Sequence, residues 1–106
     1  MDESESFVID GIVVEDSLFF TLADLCRACG AERSQVLALV DEGVLQPVGN
    51  GPQDWRFGGP SLRTARTATR LLRDLELGIA GVALVIELLA EVEALRAQLR
   101  QAGSAR

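Results

Sequence analysis

Between Thr21 and Pro47 the chain encodes two short helices around one glycine, and this arrangement narrows the fold more than any bulk property does. Thr21 is a good N-cap because its hydroxyl can accept from an orphan amide of the first turn; Asp24, three residues on, comes close to a capping box. Leu22, Leu25, Cys26 and Cys29 recur at i, i+3, i+4 and i+7, one apolar face of a helix. Gly30 supplies the turn that ends it. A second helix is expected from about Glu32 to Glu42, with Val36, Leu37, Leu39 and Val40 inward or half-inward. Gly43 ends that helix, Val44 and Leu45 pack back, and Pro47 prevents continuation. Val48 to Gly59 is rich in glycine and reads as a hairpin-like loop, with Trp55 and Phe57 on one strand face about Arg56. Helix, glycine turn, helix and small hairpin is the order of a winged helix-turn-helix, here over residues 18–59.

Pro60 and Ser61 open a third helix, expected to run to about Leu75 with Leu62, Ala65, Leu72 and Leu75 on its buried side. Arg63, Arg66, Arg70 and Arg73 follow at spacings of 3, 4 and 3 and form a basic stripe on one face. Gly78 is expected to break this helix. A fourth helix should run from about Ile79 to Gln101. Val85, Leu88, Val92, Leu95 and Leu99 keep heptad spacing along it, while Ile86, Leu89 and Ala90 make a second apolar face in its first half. The outer leucines lie where a small domain has little left to cover them, so a second chain is expected there. Residues 1–17 are acidic and without a base, and Phe7 to Val14 reads as extended. Asp10-Gly11 is a candidate hairpin turn, with a loose tail as the alternative. The expected organisation is therefore an acidic arm at 1–17, a winged helix-turn-helix at 18–78 and a dimerisation helix at 79–102. The fold class is mainly α with a small β wing.

Charge separates two uses of such a scaffold. A DNA reader carries Arg or Lys on its second helix and wing. Here that helix begins with Arg33 and then runs through Ser34, Gln35 and an apolar stretch to Asp41 and Glu42. Asp54 and Arg56 nearly cancel in the wing. The formal net charge is −6, whereas free-standing nucleic-acid binders are usually basic. Nucleic acid is therefore not the expected partner. No catalytic constellation is legible: His is absent, and neither a nucleophile elbow nor a phosphate loop occurs. Cys26 and Cys29 cannot complete a zinc site alone and sit on an inward helix face, so they read as packing residues. No metal, cofactor or enzymatic activity is expected. The apolar run Ile79 to Ala90 is short and interrupted by Glu87, too little for a membrane span. A cytoplasmic location is the expectation, with no leader peptide apparent.

Four stretches carry a resemblance: Phe20-Thr-Leu-Ala-Asp-Leu-Cys26, Glu42-Gly-Val-Leu-Gln-Pro47, Trp55-Arg-Phe57 and Leu75-Glu-Leu-Gly-Ile79. In this order they resemble the MerR-type winged helix-turn-helix from about Leu18 to Arg100. The chain departs from classical MerR regulators in its second helix and in a wing loop without a base, Asn50-Gly-Pro-Gln-Asp54. It looks more like the chaperone modulator CbpM family. That resemblance implies binding to the J-domain of a DnaJ/CbpA-like co-chaperone and restraint of its action with DnaK. J-domains expose a basic helix, so candidate contacts are the acids Asp10, Glu15, Asp16, Asp24, Asp41 and Glu42, foremost Asp41 and Glu42. Val85, Leu88, Val92, Leu95 and Leu99 would join two copies as a homodimer. The alternative is a MerR-type transcriptional regulator touching DNA through Arg33, Arg56, Arg63, Arg66, Arg70 and Arg73. A third reading is a metal or redox sensor acting through Cys26 and Cys29.

Overall fold

The computed structural model describes residues 6–9, 12–15 and 18–104. Two strands, β1 (Ser6–Ile9) and β2 (Ile12–Glu15), pair antiparallel with Ile9 opposite Ile12. The Asp10-Gly11 turn expected between them lies outside the described residues. A third strand, β3 (Phe19–Phe20), leads into helices α1 (Leu22–Cys29) and α2 (Arg33–Asp41). After the wing come β4 (Phe57–Gly58), α3 (Gly59–Asp74) and α4 (Ile79–Ser104). The molecule is mainly helical, as its periodicity requires.

Each helix end has an identifiable cause. Asp24 donates its amide to the Thr21 hydroxyl at 3.0 Å, and Thr21 donates its amide to the Asp24 carboxylate at 3.1 Å, completing the capping box. Gly30 closes α1 in the left-handed region (φ 63°), donating its amide to Cys26. Gly43 (φ 81°) does the same after α2, and the Val44 amide then reaches the Leu39 carbonyl at 2.9 Å. That turn drives Leu45 into the core.

α3 ends differently from the sequence expectation. Gly78 was expected to break the helix, but the left-handed residue is Glu76 (φ 53°). The amides of Leu75 and Leu77 both reach the Leu71 carbonyl, so the chain leaves the helix in a Schellman-like turn. Leu77 is half-buried against the core, and this contact offsets the left-handed strain at Glu76. Leu75 consequently swings outward and is 63% exposed, not buried as its spacing suggested. Ala68 and Thr69 take its place on the inner face of α3.

The core joins Leu22, Leu25 and Cys29 of α1 to Val36 and Leu39 of α2, Leu62, Ala65 and Ala68 of α3, and Val82 of α4. Phe57 is its largest fully buried side chain; burying such a ring contributes roughly 1.5–3 kcal/mol. It is held from two sides. Phe20 pairs with Phe57 across β3 and β4, and Trp55 meets Phe57 edge to face, with ring centroids 6.0 Å apart. Val48 and Arg56 bridge at the base of the wing. Gly49 is required there: a Cβ would lie 2.6 Å from the Asp54 carbonyl oxygen. The wing is thus a small hairpin pinned to the helices by its aromatic pair.

Candidate functional site

α2 ends on two carboxylates. Asp41 is its last residue and Glu42 its C-cap, both exposed, and no basic residue stands in the last turn. The C-terminus of a helix carries the negative end of its dipole and favours cations. Two acids there add to that negative potential. Among the described residues no ion pair relieves them. The glycine turn that follows sets Glu42 and Val44 against α4 and leaves a groove of about 240 Å³ between them. It is lined by Val44, Ala83, Ile86 and Ala90 together with the acids Glu42 and Glu87. Glu87 was not among the acids expected to meet a partner. Its signal in the sequence was the single break it makes in an otherwise apolar run.

The other expected acids are dispersed. Asp24 is occupied by the capping box and by an ion pair with Arg27 one turn on. The Thr21 amide, then the Thr21 hydroxyl and then the Arg27 charge hold its carboxyl below the usual carboxylate range. Glu15 is placed only as the last residue of β2. Asp10 and Asp16 lie outside the described residues.

α4 divides in two. Val82 is buried, Ile79, Val85 and Ile86 are half-buried, and this first part packs on the domain. From Glu87 to Gly103 every residue except Ala97 is exposed. The exposed set includes Leu88, Val92, Leu95 and Leu99, the last at 72%. These four lie on one face by their heptad spacing, with half-buried Val85 leading into it.

The arginines expected for DNA contact are spread over α2, the wing and α3. Arg63, Arg66, Arg70 and Arg73 all lie on α3, with Arg66 half-buried. Arg66 donates to the Ala28 carbonyl at 3.4 Å, and the Arg73 guanidinium lies beside Gly30. Two members of the stripe thus sit at the C-terminal end of α1, where the helix dipole favours a cation. Arg33 starts α2 and Arg56 sits in the wing, both exposed. Cys29 is buried and Cys26 half-buried, and neither is in a disulfide. Burial pushes the Cys26 thiol up, with the Arg33 charge acting weakly the other way. Among the described residues no group of three or more His, Cys, Asp or Glu is placed to hold a metal ion, and no helix is long and apolar enough to cross a membrane.

Residues 20–102 match the model of the MerR HTH family of regulatory proteins. The chain is 31% identical over 93 residues to a chaperone modulatory protein CbpM of Coxiella burnetii (strain Dugway 5J108-111), covering 88% of each chain. It is 38% identical over 74 residues to a chaperone modulatory protein CbpM of Pseudomonas putida (strain GB-1), covering 70% of this chain and 73% of that one.

Proposed function

We propose a protein-binding, chaperone-modulating role, because the chain belongs to the MerR HTH family of regulatory proteins and, within it, to the chaperone modulatory proteins CbpM. The partner in this reading is the J-domain of a DnaJ/CbpA-like co-chaperone, and binding restrains that co-chaperone's action with DnaK. The observation that carries it is the C-terminus of α2. Where a DNA reader carries Arg or Lys on its second helix, this chain ends that helix on the exposed acids Asp41 and Glu42. Repelled by phosphate, they suit a basic protein helix. Asp10, Glu15, Asp16 and Asp24 add to the net negative charge that favours a basic partner.

The active form is a homodimer joined through Val85, Leu88, Val92, Leu95 and Leu99 of α4. The exposed leucines beyond the domain support this, since a helix with such a face gains stability chiefly by covering it.

Titration calorimetry with a purified J-domain tests the reading. The wild type should bind, and Asp41→Lys with Glu42→Lys should weaken binding by about tenfold or more, equivalent to about 1.4 kcal/mol. The double variant should also flatten the dependence on salt. Unchanged binding would discard these two residues, and no binding by the wild type would discard the co-chaperone reading. Firm retention on an operator-DNA column at ordinary ionic strength would favour the transcriptional alternative and its arginines.

A further inference from the structure

We infer that the groove between the C-terminal turn of α2 and the first half of α4 is a docking cleft for one long cationic side chain of an amphipathic helix, with Glu87 as its second acidic wall. This rests on the protein-binding reading above and deepens it. The groove joins two chemistries that a single aliphatic floor or a single acid would not. Val44, Ala83, Ile86 and Ala90 supply apolar lining, and Glu42 and Glu87 bring one carboxylate each from two different elements. Lys and Arg side chains suit that pairing: their methylene stems cover apolar surface while the charged head reaches carboxylates.

Electrostatics identify the occupant as a cation. Glu42 and Asp41 stand at the negative end of the α2 dipole, where acids cost stability. Glu87 is brought to the same groove from another element, and among the described residues it has no ion-pair partner. Two carboxylates lining one groove, with Asp41 adjoining Glu42 in the chain, leave a field that an incoming positive charge relieves. The apolar neighbours of that cation on a partner helix would then cover Val44 and Ile86.

Helical geometry keeps this cleft apart from self-association. Glu87 and Val92 are five residues apart, which places them about 140° apart around α4. A second copy seated on the Val92 face leaves the Glu87 side open. The cleft and the dimer seam can therefore be used at once.

The test measures binding of a purified DnaJ-type J-domain to the full chain carrying Glu87→Lys, Ala83→Phe or Asp74→Lys. The last makes the same charge change on an exposed residue outside the groove. Circular dichroism melts establish that each variant is folded, and sedimentation gives its oligomeric state. Glu87→Lys should weaken binding at least tenfold. Ala83→Phe, which fills the cleft without changing charge, should weaken it at least fivefold. Asp74→Lys should stay within about threefold of wild type, and all three should keep the wild-type oligomeric state. If either groove variant binds normally, or Asp74→Lys loses as much as Glu87→Lys, the cleft is overturned; loss by Asp41→Lys with Glu42→Lys alone would then leave the wider reading standing. A shifted oligomeric state in Glu87→Lys would give the cleft to a second copy and overturn the proposal. A wild type that does not bind the J-domain overturns the cleft and the wider reading together.

Discussion

Asp24 accepts from the Thr21 amide while its own amide donates to the Thr21 hydroxyl, so one side chain satisfies a backbone donor that α1 would otherwise leave open. Asp24→Ala should therefore destabilise the fold by about 0.5–1 kcal/mol, a fall in melting temperature of roughly 2–8 °C for a domain of this size. The same residue sets a pH dependence. Its folded pKa lies below its unfolded value, so its contribution is complete above the unfolded pKa and is lost as pH falls through the folded one. The gap between wild type and variant should be widest near neutral pH and narrow below about pH 4. Thermal melts across pH check this, and a gap that persists undiminished at low pH would show that the carboxylate charge contributes nothing. The sequence disclosed this cap because its information is local: Thr and Asp three residues apart suffice. It did not disclose Glu76, whose left-handed turn is fixed by how Leu77 meets a core assembled from distant parts of the chain.

Elements were legible where a periodicity was long. Two helices about Gly30, the arginine-bearing α3 and the long α4 all follow from the spacing of apolar residues. The strand β3 was not, since Phe19 and Phe20 carry no period and find their partners, Gly58 and Phe57, only beyond the wing. The groove was hidden for the same reason: Glu42 and Glu87 come together only after α4 folds back on the α2 turn. Beyond Ala90, α4 is a segment too short to be firmly helical alone in water, with an apolar face and no core to bury it. Leu95→Asp with Leu99→Asp should convert a dimer into monomers by light scattering. It should also raise amide exchange from about residue 91 onward while α1 to α3 keep their protection. Retention of the dimer in this variant would move the seam off the heptad, and a monomeric wild type would remove it.

At the scale of the whole molecule, a formal charge of −6 acts on folding and on association with opposite signs. Within the chain, like charges repel across a few ångströms at the α2 terminus and over longer range elsewhere, which destabilises the compact state. Toward a basic partner the same field steers encounter and raises the association rate. Salt screens both, with a Debye length that falls from about 30 Å at 0.01 M to about 8 Å at 0.15 M. Raising sodium chloride over that range should therefore raise the melting temperature of the free protein by a few degrees. Over the same range the association rate constant with a J-domain should fall by about tenfold, while the dissociation rate changes much less. Melts and stopped-flow association on one set of buffers give both quantities. If the two moved in the same direction, or if association ignored salt, the acids on α2 and α4 would not be the groups that recognise the partner. Apolar contact would then have to carry recognition alone.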